Sequence, residues 1–401
     1  MFDVVIIGAG VAGLTCAQHL MQYTDNIIIL EGSHFVGGRC AGFNGHDLGA
    51  TWIHECSSDF KLDKLESDKN VCGNQNCDVN IDPNFDTIYG IQQKYVIVYN
   101  AFLKAYKSKT FARLRKKILD DKLLTTNDKN NLKVILRYHQ TKQYFWFGSG
   151  NRLPSQIFYG KAPSDALPLT SMNELFVKPL LSRKMMKRIR LSTRVSCIVG
   201  NIDGYTITAN SFIYKARFVI YTGTFPALIY NIKNNVISVD AMLLMQKQLY
   251  ANCIKVTFIC DDVKRVFING GRLLHVPGSP FAVLCWKGDT EILAFALATA
   301  CDVVASLTIS QLRQWFVSMF GVQCRDVIMH DFVHDDLYLG GYANDSKLEA
   351  DDYVKISNPA PHFFICGEAV VLDPKMNDCI GTVHNAVSSG HHIARIVASQ
   401  L

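Results

Sequence analysis

The chain has thirteen cysteines, an odd number, with no CxxC pair and no spaced framework among them. Their scatter argues against a disulfide scaffold and predicts reduced thiols in an intracellular, cytoplasmic protein. Cys72 and Cys77 flank a polar GNQN segment with no histidine nearby, which argues against zinc. No apolar run is long enough to span a membrane, and Met1 and Phe2 lead straight into a strand pattern, so neither a cleaved leader nor membrane attachment is expected. The closing Ser399-Gln400-Leu401 lacks the basic middle residue of a peroxisomal address. A large excess of one charge is missing too: 41 Lys and Arg stand against 35 Asp and Glu, a net charge of +6, which gives little support to a nucleic-acid partner. The two basic stretches, 104–117 and 183–190, read as wet faces of helices. There is no internal repeat.

What is present is a large apolar reserve and one dense motif. With 401 residues and 49% hydrophobic content, the chain can bury a sizeable core and is expected to form two domains. The apolar run at 4–7 leads directly into Gly8, Gly10 and Gly13, which open a helix. In this pattern Gly8 permits the tight turn, Gly10 lets backbone approach a pyrophosphate, and Gly13 lets helix pack on strand. Glu31 closes a second apolar run at 27–30, at the distance where a carboxylate accepts from an adenosine ribose hydroxyl. Strand, glycines, helix and acid together read as an adenine-dinucleotide site. No second GxGxxG follows, so a separate pyridine-nucleotide site is not expected.

Further along, residues 57–87 are crowded with Asp, Asn, Lys and Gly and read as a long loop. Helical spacing returns at 91–106, and Thr126 is placed to cap a helix through Leu132, Ile135 and Leu136. The pattern continues as a helix at 172–186, short strands around Val195, 205–209 and 218–221, and a strand at 251–260. Two apolar strands then flank Gly288-Asp289, a helix covers 310–320, a strand covers 363–366, and a last helix starts at Thr382. That helix is expected to bring a second positive N-terminus to the cofactor.

The spacing from Glu31 to Gly37-Gly38-Arg39 resembles that of flavoproteins, in which a GGR turn stands at this point, and Arg39 is also placed to balance phosphate charge. Three blocks extend the likeness: the fingerprint continued by Asp47-Leu48-Gly49-Ala50-Thr51-Trp52-Ile53-His54; Ile254-Lys255-Val256; and Gly340-Gly341-Tyr342 with FFICGEA and GTVHNAVSSG. Together they resemble the flavin-dependent amine oxidase family, and DLGATWIH is most similar to the polyamine oxidases. The resemblance implies an α/β, two-domain fold: a Rossmann-like FAD-binding domain (1–58, 165–228, 355–401) with an interleaved substrate domain of mixed sheet and helices (59–164, 229–354).

By the same resemblance, FAD is bound non-covalently, because the cysteine that carries flavin in monoamine oxidases is missing from LGGYAN. The implied cofactor contacts are Gly8, Gly10, Gly13, Glu31, Gly38, Arg39, Gly49, Ala50, Thr51, Trp52, Val195, Glu368, Thr382 and Val383. Lys255 is implied to hold a water at the flavin's reactive nitrogen, His54 to lie beside flavin and substrate, and Tyr342 to wall the substrate amine. The implied reaction is oxidation of an amine, most of all a polyamine, by hydride transfer. The imine then hydrolyses to aldehyde and amine, and oxygen is reduced to hydrogen peroxide. The alternatives are a monoamine or amino-acid oxidase and a non-catalytic FAD-binding relative. Departures from the family pattern are Glu55 and Asn385 in place of glycines, a displaced Pro226, and about six extra residues between Glu368 and Thr382.

Overall fold

The computed structural model describes residues 1–53, 67–68, 111–133, 136, 167–168, 170–201, 203–267, 273–274, 279–344, 348–373 and 379–401. It divides into two compact units: residues 1–69, 163–257 and 328–401 form the first, and 70–162 with 258–327 form the second. Residues 229–257 and 328–354, expected in the substrate domain, are grouped with the first unit.

The first unit is built on an eight-stranded sheet. Strands buried on both faces read as unbroken apolar runs, and Phe2–Ile7 and Ile27–Leu30 are such strands. Phe2–Ile7 lies parallel to both Ile27–Leu30 and Phe212–Tyr221. Ile189–Arg190 extends the sheet beyond Ile27–Leu30, and Phe363–Ile365 pairs in parallel with residues 219–221. Residues 212–216 pair antiparallel with Gly204–Ala209, which in turn pairs with Val195–Asn201.

Side chains alternate across the parallel strands and feed two cores. Val4, Ile6, Ile27, Ile29, Phe218 and Ile220 face helices Val11–Leu20 and Val383–Ala398. Val5, Ile7, Ile28, Leu30 and Val219 face the opposite way, with residues of Phe225–Asn231 and Val239–Lys247. The two helices of the first face approach closely, because a Cβ on Gly390 would stand 2.7 Å from the Ala12 carbonyl oxygen.

Within the second unit, Val283–Lys287 and Glu291–Leu297 pair antiparallel as a hairpin. Phe258 stacks on Phe316 at 4.6 Å beside Phe281 and Trp315. Helix Phe111–Asp120 buries Leu114 and Ile118 and exposes Arg113, Arg115, Lys116 and Lys117, as a solvated basic face requires.

Several elements differ from the sequence reading. The helix expected at 172–186 is broken into a π turn at Asn173–Val177, a 3-10 turn at Lys178–Leu180 and a short helix at Arg183–Met186. Pro179 has no N–H to continue the helical ladder. The cap before residue 126 is Thr125, whose hydroxyl accepts from Asp128 N at 3.1 Å. Ser67–Asp68, expected in a loop, pairs with Leu167–Pro168. The helix expected at 91–106 lies outside the described residues.

Candidate functional site

The turn after the opening strand brings two glycine-rich segments together. Gly8 has φ of +108°, and a Cβ there would stand 2.5 Å from the Thr222 hydroxyl, so only glycine fits. Gly13 is required by packing, since its Cβ would stand 2.1 Å from the Gly8 carbonyl oxygen. Gly10 differs: a Cβ there would meet only Gly37 O, at 4.0 Å. The chain's own packing does not require that glycine, whereas close approach of a pyrophosphate does. Gly10 is also the N-cap of Val11–Leu20, whose first turn has neither a side-chain cap nor an acid. Its backbone N–H groups and positive dipole end suit phosphate.

Glu31 stands beside this turn, 6% exposed. Its Oε2 accepts from Ala9 N at 2.6 Å and its Oε1 from Ser33 N at 2.8 Å. Burial raises its pKa above the ordinary glutamate value, opposed by these N–H groups. Gly37 N donates to Ala9 O at 2.8 Å, which lays the GGR turn along the first glycine loop. Val195 opens a strand whose approach is tied to the same acid, because Thr193 N donates to Glu31 O at 2.7 Å.

Arg39 turns from the GGR segment toward the far end of the chain. Its Nη1 donates to Glu368 Oε1 at 2.6 Å and to Gly341 O at 3.3 Å, and Glu368 Oε2 accepts from Ala343 N at 3.0 Å. Burial alone lowers the Arg39 pKa, and the Glu368 carboxylate reverses that, so the guanidinium stays charged. Ala50 N donates to Arg39 O at 2.8 Å, and a Cβ on Gly49 would stand 2.2 Å from the same oxygen. Thr51 follows in a buried position, and its hydroxyl accepts from Lys255 Nζ at 2.8 Å. Lys255 is itself 5% exposed. Trp52 is half-buried, while His54 lies outside the described residues.

Tyr342 pairs with Ala251 in the short ladder of Tyr342–Ala343 against Tyr250–Ala251. A Cβ on Gly381 would stand 2.1 Å from Ala343 O and 3.6 Å from Tyr342 Cδ2, so the last helix begins against this ladder. Thr382 caps that helix, accepting from Asn385 N at 3.2 Å, and Val383 is its first residue. Asn385 is buried, and its Nδ2 donates to Glu368 O at 2.9 Å and Val370 O at 3.2 Å. Ser389, one turn on, accepts from Gly367 N at 3.0 Å and donates to Gly367 O at 2.9 Å. The turn that carries Glu368 is thus held by two side chains of the terminal helix.

The structure brings Gly8, Gly10, Gly13, Glu31 and Gly38 into one cradle. It joins Arg39 to Glu368, and Thr51 to Lys255. Sequence reading missed Thr222, which fills the space beside Gly8, and the clamping role of Asn385 and Ser389. A single threonine after a strand carries no pattern, and the clamp is visible only once the chain ends have met.

A sheet with a parallel core whose opening helix meets glycine turns and a buried acid defines a dinucleotide-binding protein of the Rossmann type. Residues 6–65 match the NAD(P)-binding Rossmann-like domain, and residues 108–398 match the flavin containing amine oxidoreductase family. The second match spans more than half the chain, and the protein belongs to that family. It is similar to amine oxidase [flavin-containing] A of Equus caballus and of Bos taurus, each 49% identical over 39 residues. That segment is 10% of this chain and 7% of the relatives' own length. Family and cradle together make FAD the cofactor, and the space left over Gly10 fits it.

Proposed function

We propose that the protein oxidises an amine, a polyamine above all, with non-covalently bound FAD as hydride acceptor. The observation that carries this reading is the bond from Lys255 to Thr51, which ties a buried ammonium to the DLGAT segment of the cofactor side. Bound FAD supplies the two-electron chemistry. Glu31 accepts from the adenosine ribose, the first turn of Val11–Leu20 binds phosphate, and Glu368, fixed by Arg39 and Ala343 N, accepts from hydroxyls of the flavin's side chain. Val195 presents backbone to the adenine. Lys255 holds a water near the reacting atoms, and Tyr342 offers an aromatic wall to the amine.

The substrate nitrogen must be neutral to release hydride from its neighbouring carbon, so the site must disfavour the ammonium form. The product imine hydrolyses to an aldehyde and an amine, and oxygen leaves as hydrogen peroxide. His54 beside the amine, the amine and oxygen as partners in place of nucleic acid or membrane, and a cytoplasmic location belong to the same proposal. Among the described residues, no helix is long and apolar enough to cross a membrane.

The test is anaerobic mixing of the yellow protein with spermine, a simple monoamine and an amino acid. Fastest bleaching by spermine is expected; no preference for it would remove the polyamine assignment, and no bleaching by any amine would identify a non-catalytic relative. Lys255→Met is expected to slow reoxidation of the reduced protein by oxygen at least tenfold, the scale of a lost catalytic hydrogen bond. An unchanged rate would end the assigned lysine role.

A further inference from the structure

Glu368 is fixed both at its carboxylate and at its backbone. Arg39 Nη1 and Ala343 N each donate to one of its carboxylate oxygens. These two bonds leave acceptor capacity on both oxygens, and the side chain keeps 11% exposure. On the backbone side, Val370 N donates to Gly367 O at 3.1 Å and closes a turn over residues 367–370, with Gly367 in the left-handed region at φ of +147°. Glu368 O accepts from Gly381 N at 3.0 Å and from Asn385 Nδ2 at 2.9 Å, and the same Nδ2 donates to Val370 O at 3.2 Å.

The helix on which Asn385 stands does not account for its side chain. The backbone N–H of Asn385, not its amide group, donates to the Thr382 cap, and asparagine is a weaker helix former than alanine. The residue is 1% exposed, and its Oδ1 is buried with no hydrogen-bond partner among the described residues, which costs free energy. Both neighbours of Nδ2 are carbonyl oxygens, so the orientation of the amide is set and its NH2 end makes the useful contacts. One planar group thus bridges the carbonyls on either side of Ala369. Any rotation of the backbone at 368 would carry the carboxylate with it, so this bridge governs where the unused acceptor positions of Glu368 point.

We propose that Asn385 is a positioning residue for FAD: by bridging Glu368 O and Val370 O, it aims the Glu368 carboxylate at the hydroxyls of the flavin's side chain. The proposal rests on the FAD reading given above. It gives the first turn of the terminal helix, at a position where the family pattern has glycine, control over the flavin half of the cofactor.

The test is a double-mutant cycle in the full chain. The parent, Asn385→Ala, Glu368→Gln and the double variant are stripped of flavin and titrated with FAD by fluorescence quenching. Each is also titrated by calorimetry with ADP, which has the pyrophosphate and adenosine but no flavin side chain to reach Glu368. Asn385→Ala is expected to weaken FAD binding about tenfold, the scale of one lost hydrogen bond, and to leave ADP binding unchanged. In the Glu368→Gln background the same substitution is expected to cost no more than about twofold, because the acceptor that it positions is already impaired. Asn385→Gly, which installs the residue of the family pattern, is expected to give the same result and serves if the alanine variant fails to fold. Unchanged FAD affinity would overturn the proposal. So would an equal loss of FAD and ADP, which would show a general effect on the fold, or the full loss repeated in the Glu368→Gln background, which would show an action other than through Glu368. A parent that bound no FAD would remove the cofactor reading together with this proposal, and the parent titration alone tells that outcome from the others.

Discussion

Glu31 combines two opposing demands in one side chain. Burial works against its charge more strongly than the Ser33 and Ala9 N–H groups support it, so the folded protein holds this proton more tightly than the unfolded chain does. The resulting penalty on the fold is absent below the ordinary glutamate value and grows as pH rises from there to the raised folded value. A ribose hydroxyl donating to the carboxylate favours the charged form. Under the proposed assignment, FAD affinity therefore increases with pH across that window and levels off above it. Flavin fluorescence quenching measures this, and Glu31→Gln is expected to flatten the profile. The glutamine also turns an NH2 group toward one of the two backbone N–H groups, so a stability loss of about 1–3 kcal/mol is expected in urea unfolding.

Among the elements, the two helices on the cofactor side have glycines with opposite consequences. Gly390 is needed inside the protein, where a Cβ would press on the Ala12 carbonyl, and Gly390→Val is expected to cost about 1–3 kcal/mol of stability by overpacking. Gly10 has no such neighbour, so Gly10→Ala should leave the unfolding midpoint of the stripped protein nearly unchanged while FAD binding weakens. Paired denaturation and titration of the two variants separate packing from cofactor access.

Legibility from sequence follows the same division. Phe2–Ile7 and Ile27–Leu30 were readable because strands buried on both faces become continuous aliphatic runs, and Thr382 was readable because its hydroxyl caps a long helix. The early half of Phe212–Tyr221 was not, because Phe212 and Ile213 are exposed and its pairing comes from the turn at Asn210. Helices Phe225–Asn231, Val239–Lys247 and Ala350–Ser357 are too short for periodicity to stand out. The cradle was legible as a local motif, whereas the clamp of Asn385 and Ser389 on the turn of Glu368 depends on residues brought together only by the fold.

At the scale of the molecule, the residues assigned to the cofactor that the structure describes all lie in the first compact unit. A ligand that binds only the folded state stabilises it by mass action, about 2.7 kcal/mol at a hundredfold excess over its dissociation constant. The melting temperature is therefore expected to climb with the logarithm of free FAD, as a thermal scan over a concentration series would show. An FMN series should raise it far less.

The pairing of Arg39 with Glu368 joins positions 329 apart in sequence, and Asn385 and Ser389 lock the turn that carries the acid. During synthesis the glycine loops are made well before Glu368, which under the proposed assignment is the carboxylate that completes the site. Until that residue is made, the chain holds only the first part of the proposed site. Under that assignment flavin capture is coupled to closure of a loop of 329 residues, and a shortage of vitamin B2 would act on nascent molecules before it acted on mature ones.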